Sequence, residues 1–210
     1  SKWVADETVM PHAERPEAAL DYAARVARLV RHACDTTLTR PGRVVELGCA
    51  VGGVALNLAR EGFTDVVGVD TSRAMVERAT QILSAKAFAL EGMDPVPLPP
   101  LPSAAKVAFR HVPDLTQLPR EFADAFDVAV VASHVLCDTP QPRRLLDEAT
   151  RVVRPDGLLV LLTTFEWNAA ITPPAEFLDN GGDGAGHGEE ALVAEMQASH
   201  RDMQLIHVED

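Results

Sequence analysis

A length of 210 residues sets an expectation of one domain, and 47% hydrophobic with 24% charged residues is the composition of a chain with a full apolar core. The formal net charge of −12 argues against nucleic acid and against an anionic membrane surface as partners, because both reward a basic face. Cys34, Cys49 and Cys137 are too few and too scattered for a disulfide framework or a zinc site, no apolar run is long enough to span a bilayer, and a cytoplasmic location is expected.

Residues 1–15 read as mixed and irregular, with Trp3 and Met10 as anchors. Pro16 suits the first position of a helix. Ala19, Leu20, Ala23, Val26, Ala27, Val30 and Ala33 then recur at helical spacing, so an amphipathic helix is expected over residues 16–34. Tyr22 is the only tyrosine in the chain; it reads either as a half-buried helix residue or as a group facing a ligand.

Arg43, Val44, Val45, Glu46 and Leu47 form the next element, a short buried strand bounded by Pro41-Gly42 and by Gly48. Gly48, Gly52 and Gly53 allow a tight turn and a close ligand approach. A helix over residues 54–60 follows, its free N–H groups pointing back at the turn, where a polar or anionic group is well placed. This is the ligand turn of a Rossmann-like unit. A dinucleotide turn wants Gly-x-Gly-x-x-Gly, but the second glycine position is Ala50 here, and no Lys follows as a P-loop requires. Glu46 would repel a pyrophosphate and suits the ammonium of an amino acid.

Residues 65–70 read as a second strand ending in Asp70, about twenty residues past the glycine turn, where a carboxylate can accept both ribose hydroxyls. Thr71 and Ser72 come next, Ser72 being a good helix N-cap, and the helix is expected over residues 73–90. Met75 packs either in the core or on an adenine face. The proline-rich residues 91–103 read as a surface loop. A third strand is expected over residues 106–112, with Asp114 and Leu115 just past its end; Asp114 is either a turn aspartate or an acceptor for an adenine amino group. Residues 126–132 are a nearly continuous apolar strand, as expected of one covered on both faces, and they deliver Ser133, His134 and Cys137 to the crevice where such sheets bind ligands. A helix over residues 142–154, a turn at Arg154-Pro155-Asp156-Gly157 and a fifth strand over residues 158–163 follow. Strands alternating with helices require a mostly parallel sheet. Residues 181–188 read as a flexible glycine-rich loop, residues 189–200 as a last helix and residues 203–208 as a sixth strand.

Glu46-Leu47-Gly48-Cys49-Ala50-Val51-Gly52-Gly53 resembles motif I of the class I S-adenosylmethionine-dependent methyltransferases, and Val152-Val153-Arg154-Pro155-Asp156-Gly157-Leu158-Leu159-Val160 resembles the corresponding later region. Thr163-Thr164-Phe165-Glu166-Trp167-Asn168 with Thr172-Pro173, together with Val135-Leu136-Cys137 and Pro142, resembles the mercaptohistidine N-methyltransferases of ovothiol biosynthesis over roughly residues 43–178. His134 stands where that family has an amide side chain.

The resemblance implies an α/β fold, a Rossmann-like doubly wound sheet, with residues 1–40 as a cap and 41–210 as the core. The antiparallel seventh strand usual in the class has no residues left to form it after residue 208. It implies S-adenosyl-L-methionine as cofactor, held by Glu46, Gly48, Cys49, Ala50, Gly52, Asp70, Thr71, Ser72, Asp114, Leu115 and Ser133, and no metal. It implies methyl transfer to an imidazole nitrogen of a histidine bearing sulfur or selenium on its ring. Tyr22, His134, Thr163, Phe165, Glu166 and Asn168 would hold that small amino-acid-derived substrate, with His134 and Tyr22 as catalytic candidates. A homodimer is compatible with the sequence. An O- or C-methyltransferase of another metabolite shares every cofactor feature. A nicotinamide-dependent reductase fits less well, given Ala50 and the lack of a Tyr-x-x-x-Lys pair, and a non-catalytic cofactor-binding protein is the remaining alternative.

Overall fold

The structure is a computed structural model that describes residues 2–5, 22–37, 42–89, 94–178, 188–200 and 204–205. In chain order its elements are β1 (Lys2–Ala5), α1 (Tyr22–Thr37), β2 (Arg43–Leu47), α2 (Gly53–Arg60), β3 (Asp65–Asp70), α3 (Arg73–Ala85), β4 (Ala87–Phe88), β5 (Val96–Pro97), β6 (Lys106–His111), β7 (Phe126–Val131), α4 (Pro142–Val152), β8 (Val153–Leu161), α5 (Gly188–Ser199) and β9 (Gln204–Leu205). Among the described residues the main sheet has seven strands in the order β6-β3-β2-β7-β8-β1-β9. Every pairing in it is parallel.

The central strands are Val-rich because both faces are covered. On β2, Val45 and Leu47 enter one core cluster and Val44 the other. The first cluster is closed by α4, through Leu145, Leu146, Ala149 and Val152, and by Leu192 and Met196 of α5. The second is closed by Val26, Ala27, Val30, Ala33 and Cys34 of α1 and by Val54, Ala55, Leu58 and Ala59 of α2. Each buried Val, Leu or Met among them contributes about 1.5–3 kcal/mol by burial. Phe122 and Phe126 meet edge to face, with centroids 5.1 Å apart.

The chain reverses its direction of travel across the sheet at β2. It runs outward through β3 and β6 on one side, and through β7 and β8 on the other. The split between β2 and β7 opens a crevice at their carboxyl ends, where ligands bind in sheets of this kind.

Several expectations are corrected. Residues 1–15 are not irregular throughout, since Lys2–Ala5 forms β1 between β8 and β9. The seventh strand is therefore present, supplied from the start of the chain, and it is parallel rather than antiparallel. The third helix stops at Ala85, where Lys86 takes a left-handed conformation with φ 53°. The chain then forms a short antiparallel hairpin of β4 and β5, which places Pro97 on an edge where no ladder donor is needed. The Arg154 to Gly157 turn lies inside β8 as a bulge. Phe126 pairs with Val153 and Val128 with Leu158, so the extra residues loop outward, with Asp156 at φ 63°. Met75 is 43% exposed and belongs to neither core cluster. Met10, the first turns of the expected helix at residues 16–21 and most of the glycine-rich loop lie outside the described residues. So does most of the expected sixth strand, apart from Gln204–Leu205.

Candidate active site

The turn after β2 is held to its neighbour by the backbone. Gly48 N–H and Cys49 N–H both donate to Val69 O, at 2.8 and 2.9 Å, and Gly52 N–H closes back on Cys49 O at 2.8 Å. Gly48 and Gly52 have φ of 76° and 83°, a region that L side chains rarely enter. What a Cβ would strike there is protein rather than open cavity: Val135 at 2.4 Å from Gly48, and Phe109 at 2.4 Å from Gly52. These glycines make room for side chains of the scaffold, and Gly48 also lines the cavity described below.

Beneath the turn sits Glu46, 4% exposed. Its carboxyl accepts the Ala55 N–H at the start of α2, a helix whose N-cap Gly52 offers no side-chain acceptor. Glu46 thus satisfies one of the donors every helix start leaves open. Its Oε2 has no hydrogen-bond partner among the described residues. Burial, and secondarily the charge of Asp70, push its pKa up to about 8 against the cap bond, which lowers it.

Asp70 ends β3 and points at the same turn. Ala50 N–H donates to its Oδ2 at 2.8 Å and Ser72 N–H to its Oδ1 at 2.7 Å. An ionised carboxylate offers about four lone-pair sites, so each oxygen keeps one for a ligand. The pair suits a vicinal diol. Ser72 caps α3 as expected, accepting Met75 N–H at 3.4 Å.

A cavity of about 620 Å³ opens over these groups, within the usual range for a small-ligand site. Of the residues expected at the cofactor, its wall holds Gly48, Ala50, Asp70, Thr71, Asp114, Leu115 and Ser133; His134 lines it too. Asp114 serves its own turn as well, accepting from Thr116 N–H and Oγ1, both at 2.8 Å. Ala50 and Ser133 hold φ of 45° and 64°. Two non-glycine residues in left-handed conformations on one cavity wall mark the kind of strained backbone that gathers at functional sites.

The remaining expected residues stand off that wall. Tyr22 has its hydroxyl hydrogen-bonded to Ser133, and burial raises its pKa. Cys49 is buried, with its Sγ against Ala50 O. Cys137 does not face the crevice: it is fully buried, with its Sγ 3.2 Å from Thr163 Oγ1. Thr163 also accepts Phe165 N–H, while Thr164 accepts Glu166 N–H. Asn168 Oδ1 accepts Ala170 N–H. Phe165, at φ 55°, packs its ring against Gly188, the first residue of α5. His134 Nδ1 lies 3.4 Å from Thr164 Oγ1. Burial keeps the thiols of Cys34, Cys49 and Cys137 protonated at neutral pH, Cys34 being pushed up to about 12, so none is a ready nucleophile. Among the described residues no cluster of three metal-ligating side chains occurs.

Sequence reasoning missed Pro113, Thr116, Val135, Asp138, Thr139, Pro140 and Gln141, which complete the wall. Most of them lie on the turn between β7 and α4. Its position past a buried strand was a usable signal, but polar identity alone did not separate wall residues from loop residues.

Sheet order, glycine turn and strand-end acid together define a Rossmann-like fold of the class I S-adenosylmethionine-dependent methyltransferase type. The chain belongs to the methyltransferase domain family, which it matches over residues 15–205. No curated protein matches it. An S-adenosylmethionine-dependent methyltransferase structure from Clostridium acetobutylicum is 13% identical, with a TM-score of 0.51 over 68% of this chain and 54% of that one. The structure of the [4+2]-cyclase SpnF is 29% identical, with a TM-score of 0.50 over 67% of this chain and 45% of that one. The glycopeptide N-methyltransferase MtfA, solved with S-adenosyl-L-methionine, is 15% identical, with a TM-score of 0.49 over 66% of this chain and 53% of that one. The chain thus spans about half the length of these solved proteins.

Proposed function

We propose that the chain transfers a methyl group from S-adenosyl-L-methionine to an imidazole nitrogen of a histidine whose ring bears sulfur or selenium. The observation that carries the cofactor half is the Asp70 carboxylate, oriented by two backbone donors and facing the cavity with lone pairs to spare. S-adenosylmethionine supplies the methyl group from a sulfonium, and the departing thioether keeps the electron pair of the broken carbon–sulfur bond.

What the protein must do is hold a nitrogen lone pair about 3–3.5 Å from that carbon and in line with it. A neutral imidazole already presents such a lone pair, so positioning matters more than a strong base. Asp70 and Thr71 take the ribose side, Asp114 and Leu115 the base side, and the Gly48 to Gly52 turn the amino-acid portion. Glu46, whose Oε2 has no partner among the described residues, is the group for the ammonium. Ser133 and His134 stand at the acceptor end. His134 has its Nδ1 near Thr164, which leaves its second ring nitrogen to orient the acceptor ring and take its proton. Tyr22 steadies Ser133, and Thr163, Phe165, Glu166 and Asn168 shape the neighbouring segment.

The test is product analysis with histidine, thiohistidine and selenohistidine as acceptors. A methyl group on a ring nitrogen is expected; methylation of only a phenol or a carboxylate would defeat the imidazole assignment. His134→Ala is expected to lower kcat by about a hundredfold, the low end for a positioned acid–base group, with cofactor affinity unchanged. The likeness to a [4+2]-cyclase at 29% identity favours a second reading, in which the fold binds the cofactor without methyl turnover. Absence of S-adenosylhomocysteine from every incubation would select it.

A further inference from the structure

We propose that Asp138 binds the protonated amine on the acceptor's tail and turns away an acceptor whose tail carries a carboxylate in place of that amine. The inference rests on the methyl-transfer reading above and names the substrate class for that site.

The charge of the cavity wall is one-sided. Among the described residues lining it, the carboxylates are Asp70, Asp114 and Asp138, and none is Lys or Arg. The first two have work within the fold. Asp70 binds Ala50 and Ser72 N–H, and Asp114 binds Thr116 and Gln117. Asp138 has no such employment. It is exposed, and its carboxylate makes no hydrogen bond or ion pair among the described residues. Nor does it cap the helix that follows, since α4 starts at Pro142 with Gln141 as N-cap.

The backbone that presents it is nevertheless fixed. Asp138 N–H and Cys137 N–H both donate to His134 O, at 2.8 and 2.9 Å. The hydroxyl of Thr172, fully buried, lies 2.7 Å from Cys137 O and 2.8 Å from Thr139 O, sharing its proton between the carbonyls of the residues on either side of Asp138. A carboxylate with no partner among the described residues, on a pinned turn four residues past His134 on the same wall, is a preorganised partner for a cation. While His134 meets the reacting ring, Asp138 meets the tail. A tail with a carboxylate in place of the amine would face like charge with no described cation to offset it.

The experiment compares ring-thiolated imidazoles carrying an aminoethyl, an ethyl or a carboxyethyl tail, on the full chain and on Asp138→Asn and Asp138→Lys. Steady-state KM and kcat are measured separately. Tail binding to protein loaded with S-adenosylhomocysteine is measured by calorimetry. The wild type is expected to favour the amine over the carboxylate by about tenfold in KM and in binding, the scale of one charge-assisted contact. Asp138→Asn should remove most of that ratio with little change in kcat, and Asp138→Lys should reverse it. Equal or better handling of the carboxylate by the wild type, or an unchanged ratio in Asp138→Asn, overturns the proposal. If no acceptor is methylated, the methyl-transfer reading fails, and the calorimetric ratio still decides for or against Asp138. A methyl group on the tail amine would overturn the imidazole assignment and leave the charge preference intact.

Discussion

Asp70 is proposed as the ribose acceptor from its position, because an acid at the end of the strand after a glycine turn is what such sheets use. Its two backbone bonds add that it also fixes the turn. Asp70→Ala is therefore expected to weaken S-adenosylmethionine binding by about 1–3 kcal/mol, read by calorimetry; unchanged binding would refute the assignment. Glu46 yields a pH prediction. Folded, it titrates at about 8; unfolded, near its ordinary 4.5. Between those values the folded chain holds a proton that the unfolded chain has lost, so stability falls as pH rises through this window. The slope from this group approaches about 1.4 kcal/mol per pH unit. Urea unfolding from pH 5 to 8 should show the decline in the wild type and its removal in Glu46→Gln. An ammonium brought to Oε2 would draw that proton off, so cofactor binding at pH 7 should release a proton. Calorimetry in buffers of different ionisation enthalpy measures this release, and Glu46→Gln should abolish it.

Gly52 and Gly53 are adjacent in the sequence yet stand under different constraints, which gives a test one scale up, in the glycine turn and α2. Gly52 combines a positive φ with Phe109 at 2.4 Å from a would-be Cβ, while at Gly53 the nearest contact is Ala23 at an ordinary 3.4 Å. Gly52→Val is expected to cost about 3 kcal/mol from strain and overpacking. Gly53→Ala should be neutral or stabilising by up to about 1 kcal/mol, because alanine is the better helix residue. Thermal unfolding of both variants checks the pair. The strands β2, β3 and β7 were legible because runs such as Val44-Val45 and Val128-Ala129-Val130-Val131 can be buried only inside a sheet covered on both faces. Lys2–Ala5 was not legible, since four residues without alternation or turn signals have no pattern until β8 and β9 flank them. The early end of α3 escaped notice for a related reason: Lys86 at φ 53° stops the helix, and no residue type announces a left-handed lysine.

Across the whole molecule, β1 joins the two ends of the described chain, holding β9 to the rest of the sheet. Deleting residues 1–5 is expected to expose the edge of β8, release β9, lower the thermal midpoint and promote self-association; light scattering and thermal unfolding would show it, and an unchanged midpoint would count against the pairing. The sequence by itself determined the parallel core, the place of the glycine turn and the acid that ends β3, because each is set by local rules: burial periodicity, glycine geometry and the spacing from strand end to strand end. Only the tertiary structure decided which neighbours line the cavity. It turned Thr163, Asn168 and Cys137 toward the fold's own backbone and side chains, bonded Tyr22 to Ser133, and left the carboxylate of Asp138 without a partner among the described residues. Whether a polar side chain serves the scaffold or a ligand depends on which distant segment packs against it, and the order of residues along a chain does not carry that information.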